Sequence, residues 1–230
     1  MEKKLTFLGI ETSCDETAAA VIQENNNGTA NILSNIVSSQ IKEHSKYGGV
    51  VPDIAVLEHL NNFPPLLDLA RKKYRLEEKV SKIAVTCGPG LVGCLGIGIS
   101  VAKSLGILWE VPVVGVNHLR GHAFSPFISL GEVSKWKNLL PHLGLLVSGG
   151  NTLLFSINEE LGISILARTV DDAAGEALDK GAKLLGIPYP GGAELERRSI
   201  GGDPKAYDFP QAFPQKSDMK FSFSGLKTSL

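Results

Sequence analysis

Leu8-Gly9-Ile10-Glu11-Thr12-Ser13-Cys14-Asp15-Glu16-Thr17 carries an apolar strand into a polar loop and starts it back again. Residues 5–12 read as a strand and 17–23 as its hairpin partner; Asn25-Asn26-Asn27-Gly28 reads as the turn before a third strand around 32–38. The pattern then recurs. Residues 142–148 form an apolar strand ending on Ser148-Gly149-Gly150, 152–158 return, 163–170 make a third strand, and a helix follows over about 173–185. Two such units in one chain predict a duplicated α/β architecture, each lobe offering its first hairpin to a shared cleft. Small residues in each turn let backbone N–H groups surround phosphate oxygens.

Between the two units, residues 52–74 carry a helical pattern that Pro64-Pro65 is expected to break. A buried strand follows at 82–87, then the turn Gly88-Pro89-Gly90, a helix over 96–110 and a strand over 111–116. That strand delivers the chain to Asn117-His118-Leu119-Arg120-Gly121-His122. Helical residues four apart share a face, so both imidazoles can reach one metal ion. The spacing alone fits equally well two helix-face histidines with structural hydrogen bonds. A zinc peptidase of the H-E-x-x-H type needs a glutamate after the first histidine. Leu119 stands there, so proteolysis is not expected.

The bulk composition is that of ordinary globular material: 230 residues, 43% hydrophobic and 20% charged, enough for one large domain or two small ones. A net charge of −1 supplies no global field toward nucleic acid or an anionic membrane, which leaves RNA contact to a local patch or a partner. Arg71-Lys72-Lys73-Tyr74-Arg75 is one such patch, although a solvated helix end explains it as well. Three cysteines without a C-x-x-C argue against a disulfide framework and for a reducing, cytoplasmic setting. The N-terminus lacks the apolar core of a signal peptide. Twenty uncharged residues between Lys82 and Lys103 raise a membrane question, but five glycines and Pro89 interrupt them. No membrane span is expected.

The motifs, taken in order, resemble those of a known family. They are the opening stretch, Tyr47-Gly48-Gly49-Val50-Val51-Pro52, Gly88-Pro89-Gly90-Leu91, the His118/His122 pair and Leu146-Val147-Ser148-Gly149-Gly150. Asp171-Asp172-Ala173-Ala174-Gly175-Glu176-Ala177-Leu178-Asp179-Lys180, Tyr189-Pro190-Gly191-Gly192 and Phe221-Ser222-Phe223-Ser224-Gly225-Leu226-Lys227 complete the set. Over essentially the whole chain they look like the tRNA adenosine threonylcarbamoyltransferase family (TsaD type), formerly labelled a sialoglycoprotein endopeptidase. The resemblance implies an α/β, actin-like or sugar-kinase-like ATPase fold. On this reading a first lobe over 1–140 carries the histidine helix, and the start of a second, incomplete lobe spans 141–230. It also implies a reaction, in which the exocyclic amine of the adenosine beside the tRNA anticodon takes the threonylcarbamoyl group from threonylcarbamoyl-adenylate and AMP leaves. The expected partners are tRNA, a smaller paralogous subunit, an ATPase partner and a separate enzyme that makes the adenylate.

By this match His118 and His122 are metal ligands, to one divalent ion, iron or zinc. Arg120 stands where the family more often has glutamate. Asp15 and Glu16 are the catalytic carboxylates, able to accept a proton from the attacking amine or to orient a water; turn chemistry alone also accounts for them. Leu146, Val147, Ser148, Gly149, Gly150, Asp179, Gly192 and Glu196 are the substrate-binding positions, with Asp179 suited to a ribose hydroxyl and Glu196 replacing the usual aspartate. Cys14 is expected to be a small packed residue rather than a nucleophile. His44 and His59 are expected to be surface or packing histidines, and Ser224 the cap of a helix. The resemblance further implies that about a third of the usual family length lies beyond Leu230, including a late aspartate that completes the metal site. The expectation is therefore a C-terminally truncated transferase of low solubility, with an uncovered parallel sheet. The alternative is a non-catalytic nucleotide-binding scaffold paralogue, or an inactive remnant of the transferase.

Overall fold

In β1 (Thr6–Glu11) every second side chain is buried, and β2 (Glu16–Glu24) repeats the alternation. The antiparallel register sets Leu8 opposite Val21 and Ile10 opposite Ala19, so one face of the hairpin is apolar. The computed structural model describes residues 4–25, 29–128, 133–213 and 219–230. Most of the turn read at 25–28 thus lies outside the described residues. The chain divides into two compact units, Met1–Trp136 and Lys137–Leu230.

In the first unit β3 (Ala30–Ser39) continues the antiparallel hairpin. α1 (Ile41–Ser45), α2 (Pro52–Tyr74) and α3 (Leu76–Lys79) lead to β4 (Lys82–Gly88), then α4 (Val92–Leu108), β5 (Val113–Asn117) and α5 (His118–Ile128). β4 runs parallel to both β1 and β5, which gives the sheet order β3-β2-β1-β4-β5. The core is the apolar sheet face (Leu8, Ile10, Ala19, Val21, Ile83, Val85) closed by Phe63, Leu66 and Ala70 of α2 and Ala102 of α4. Each fully buried large aliphatic of this set contributes on the order of 1.5–3 kcal/mol.

α2 runs unbroken through Pro64 and Pro65, contrary to the expectation that they end it. The reason is placement. Both prolines face solvent, and the carbonyls they leave unbonded belong to Leu60 and Asn61, also exposed, where water can reach them. Phe63 and Leu66, on either side, are buried against the sheet and hold the helix down. α4 begins one turn earlier than read. A Cβ at Gly98 would stand 2.3 Å from Thr12 Oγ1, so only glycine lets this helix lie against the end of β1, where Thr12 Oγ1 donates to the Cys94 carbonyl at 2.8 Å.

α6 (Val133–Lys137) carries the chain past the boundary between the units. The second unit repeats the first hairpin: β6 (His142–Val147), β7 (Thr152–Ile157) and β8 (Ile163–Arg168), antiparallel in the order β6-β7-β8 as in β1-β2-β3. The duplication is therefore real at the level of topology. The sheet here is antiparallel throughout, not the parallel sheet expected, and Leu143, Leu145 and Val147 leave one face of β6 exposed. α7 (Ala174–Leu184), α8 (Gly192–Ser199) and α9 (Ser224–Thr228) follow.

Ser224 is the first residue of α9 rather than its cap. The cap comes from Asp171, which accepts the N–H groups of Phe223 (2.8 Å) and Ser224 (3.3 Å) and the hydroxyls of Ser222 and Ser224. Desolvation opposes ionisation of Asp171, but these hydrogen bonds outweigh it and hold the carboxyl well below the usual range. Asp172 adds ion pairs to Lys227 (2.8 Å) and Lys180 (2.9 Å). The two aspartates thus bind the Phe-Ser-Phe-Ser-Gly-Leu-Lys segment to the start of α7.

Candidate metal centre and nucleotide-binding loops

β5 ends and α5 begins without a connecting loop. Asn117 makes this possible: its Oδ1 accepts the N–H groups of Leu119 (2.9 Å) and Arg120 (3.2 Å), capping the helix at once. His118 is therefore the first residue of α5, and His122 stands one turn above it. Their Nε2 atoms lie 3.1 Å apart, with ring planes at 86°. That separation serves a hydrogen bond between two neutral rings or two ligands on one ion. Metal–nitrogen bonds of about 2.0–2.1 Å in tetrahedral geometry place two ligand nitrogens roughly 3.3 Å apart.

The other ring nitrogen decides the tautomer. His118 Nδ1 lies 3.1 Å from Glu11 Oε2 and 3.3 Å from Ser13 Oγ. Glu11 accepts further hydrogen bonds from the Thr86 hydroxyl (2.6 Å) and the Ser13 N–H. Burial pushes the Glu11 carboxyl up, but the His118, Ser13 and Thr86 hydrogen bonds prevail and lower it to about 2. An ionised carboxylate only accepts, so the proton of neutral His118 sits on Nδ1 and the Nε2 lone pair faces His122. Burial and the neighbouring His118 lower the His122 pKa, favouring the neutral form a ligand needs. The donor set fits a divalent ion held by two imidazoles, one of them backed by a carboxylate. Among the described residues no group of three or more His, Cys, Asp or Glu is arranged around one ion. The Arg120 guanidinium lies over the Phe124 ring, 5.2 Å from its centre, and this cation–π contact turns its charge along the exposed side of the helix.

The acidic turn between β1 and β2 is held through three successive carbonyls. Ser13 accepts from the Leu91 N–H (2.8 Å), Cys14 from His59 Nε2 (3.0 Å) and Asp15 from the Gln40 N–H (3.0 Å). Asp15 is half-buried and Glu16 exposed. No hydrogen bond joins either carboxylate to His118 or His122 among the described residues. His59 and His44 are both fully buried, so neither is a surface residue. Cys14 is exposed rather than packed. Desolvation of its sulfur, together with the Asp15 carboxylate, nevertheless pushes the thiol up to about 12, which suits the reading that it is no nucleophile. Cys14 is accordingly expected to alkylate more slowly than the exposed Cys87 at pH 8 and to gain reactivity only far into the alkaline range. Mass-resolved labelling with iodoacetamide checks this.

In the second unit Ser148 and Asn151 close the β6–β7 turn through Ser148 N–H to the Asn151 carbonyl (2.8 Å) and Asn151 N–H to Ser148 Oγ (3.0 Å). Gly149 and Gly150 are left exposed at its tip, while Leu146 is half-buried and Val147 exposed just before it. The start of α7 packs against this turn: Gly175 N–H donates to the Ser148 carbonyl at 3.2 Å, and Ala174 N–H to Thr152 Oγ1 at 2.9 Å. A Cβ on Gly175 would stand 2.7 Å from the Ser148 oxygen and 2.9 Å from Gly149 backbone atoms. Gly175→Ala is therefore expected to cost about 1–3 kcal/mol and to lower Tm by several degrees, as calorimetry would show.

Asp179 Oδ1 accepts the N–H groups of Gly191 (2.8 Å) and Gly192 (3.1 Å), fixing the glycine turn at the start of α8. That oxygen is occupied, so a ribose hydroxyl would have to meet Oδ2. Lys180 pairs with Asp172 and Glu176. Glu196 is exposed on α8, where the arginine pairs go to Glu194 instead.

Sequence reading assigned no functional role to Glu11, Ser13, Thr86, Asn117, Gln40 or His59. Glu11 offered a signal, a carboxylate at the inward end of an apolar strand. The others had none, because what gives them their partners is the packing of distant segments.

The sequence model of tRNA N6-adenosine threonylcarbamoyltransferase (TsaD) matches residues 31–230. Curated relatives of that name include one from Fervidobacterium nodosum, 45% identical over 98% of this chain and 64% of its own length. Another, from Anaeromyxobacter dehalogenans, is 49% identical over 97% and 64%. The chain thus spans about 64% of the length of these relatives. Among solved structures, a protein from Pseudomonas aeruginosa with similarity to the peptidase YEAZ covers 70% of this chain and 63% of its own, at TM-score 0.41 and 16% identity. An Aquifex aeolicus member of the Ppx/GppA family covers 98% and 59%, at TM-score 0.40 and 12% identity. The match over residues 31–230 leads to one conclusion: this chain belongs to the tRNA N6-adenosine threonylcarbamoyltransferase family.

Proposed function

We propose that this protein transfers the threonylcarbamoyl group of threonylcarbamoyl-adenylate to the exocyclic amine of the adenosine next to the tRNA anticodon. The observation that carries this reading is the His118/His122 pair, with its Nε2 atoms 3.1 Å apart and its tautomer set by Glu11. The amine nitrogen forms a bond to the carbamoyl carbon, the bond from that carbon to the phosphate oxygen breaks, and AMP leaves with the electron pair. Asp15 or Glu16 takes the proton released by the amine. His118 Nε2 and His122 Nε2 would hold a divalent iron or zinc ion, which would supply Lewis acidity toward the developing negative charge. In the second unit, the α7 N-terminus points its positive dipole end at the Ser148–Gly150 turn, which supports a role for Leu146 through Gly150 in phosphate binding. Asp179, Gly192 and Glu196 complete the proposed nucleotide contacts.

With a net charge of −1, the chain itself supplies little attraction for tRNA. The family resemblance makes a smaller paralogous subunit and an ATPase partner part of the proposal. No helix among the described residues is long and apolar enough to cross a membrane. The test combines the protein, those partners, unmodified tRNA and threonylcarbamoyl-adenylate, and follows AMP release and the modified nucleoside by mass. Formation of the nucleoside that stops on chelation and returns with iron or zinc is expected. Failure to form it with all components present would refute the reading.

A further inference from the structure

His59 lies outside the proposed metal centre, fully buried on the inner face of α2, yet its hydrogen bonds have a single direction. The Val51 N–H donates to His44 Nδ1 (3.3 Å), so the His44 proton sits on Nε2, which donates to Gln40 Oε1 (3.0 Å). That fixes the Gln40 amide with its nitrogen toward His59 Nδ1 (3.3 Å) and the Ala55 carbonyl (3.4 Å). Thr17 Oγ1 also meets His59 Nδ1, at 2.7 Å. His59 Nε2 faces the Cys14 carbonyl, which can only accept, so the ring carries its proton on Nε2 and receives at Nδ1. Every partner agrees on one neutral tautomer for each ring. Both nitrogens of the buried His59 ring are thereby satisfied, and its one donor is spent on the acidic turn, at the Cys14 carbonyl.

We propose that His59 is a positioning residue for the acidic turn, its Nε2–H holding the Cys14 carbonyl so that Asp15 and Glu16 are presented in one fixed orientation. The Leu91 and Gln40 N–H groups hold the carbonyls on either side, but those donors belong to the backbone, and His59 alone among the three clamps is a side chain. The functional part of the proposal rests on the reading of Asp15 and Glu16 given above; the clamp itself does not.

Three cysteines make the clamp measurable without any activity. Cys14 lies on the held turn, Cys87 is exposed elsewhere, and Cys94 is buried and reports opening of the whole unit. In His59→Leu, alkylation of Cys14 relative to Cys87 is expected to rise roughly five- to tenfold, the weight of one lost hydrogen bond, with Cys94 still protected. His59→Gln, which keeps an amide donor near the Nε2 position, should restore the slow rate. Thr17→Val, which removes the nearer of the two donors that fix the ring at Nδ1, should accelerate labelling in part. An unchanged Cys14 rate in His59→Leu with Cys94 protected overturns the proposal. If His59→Leu exposes Cys94, His59→Gln decides: slow Cys14 with Cys94 protected supports the clamp, and any other result overturns it. In the transfer assay His59→Leu should lower kcat more than it changes KM, and His59→Gln should recover it. Labelling that behaves as expected while no variant or parent transfers the group leaves the clamp standing and removes the transferase reading.

Discussion

His118→Ala is expected to empty the protein of bound iron or zinc and to reduce transfer by about 10²–10³-fold or more, the scale seen when a charge-stabilising group is lost from a reaction centre. A single imidazole at His122 cannot chelate, and among the described residues no third His, Cys, Asp or Glu stands ready to replace it. His122→Ala should behave alike. His122→Ala should change stability little, because His122 is exposed; His118→Ala should lower it modestly, because the half-buried Glu11 carboxylate loses one of its hydrogen-bond donors. Elemental analysis after gel filtration, set beside AMP release, checks both parts. One equivalent of metal and a normal rate in either variant would contradict the assignment.

Glu11→Ala should produce the second large effect, on metal affinity and stability together. His118 Nδ1, the Thr86 hydroxyl and the Ser13 N–H all lose their shared acceptor. Metal affinity is expected to fall roughly 10–100-fold, since the carboxylate no longer orients the His118 ring or strengthens it as a donor. Unfolding stability should drop by about 1–3 kcal/mol, because donors arranged around a half-buried carboxylate are left without it. Glu11→Gln keeps the shape and one acceptor oxygen but not the charge, and should fall between the two. Competition with a chelator gives the affinity and thermal unfolding the stability. If Glu11→Ala binds metal as tightly as the parent, the tautomer of His118 is set by something other than this carboxylate.

The elements that alternation and helical spacing govern were legible in the sequence. The β1–β2 hairpin, its repeat at β6–β7, the buried strand β4 and the histidines at the start of α5 all follow from periodicity within a few residues of chain. Two of the readings that went astray share one cause. The Pro64-Pro65 break assumed that a lost hydrogen bond must end a helix, whereas exposure of Leu60 and Asn61 lets water take the freed carbonyls. Ser224 as cap assumed that a helix end is served by its neighbour in sequence; Asp171 serves it from across the unit. In both cases the deciding quantity was solvent access or a distant donor, which no local pattern encodes.

The candidate site divides along the same line. The sequence by itself determined which chemistry-bearing residues exist and where they fall on their own elements. His118 and His122 share a helix face because four residues are about one turn, and Gly149 and Gly150 sit at a hairpin tip because the strands on either side pair. Only the tertiary structure decided which of these groups act together. β1 lies beside β4, which places Glu11 against Thr86, and β4 lies beside β5, which delivers His118 to the same sheet edge. The buried line from Val51 through His44, Gln40 and His59 to Cys14 likewise joins three separate segments. A proton's place on an imidazole depends on its nearest acceptor in space. That acceptor for His118 is 107 residues away along the chain, and for His59 it is 45.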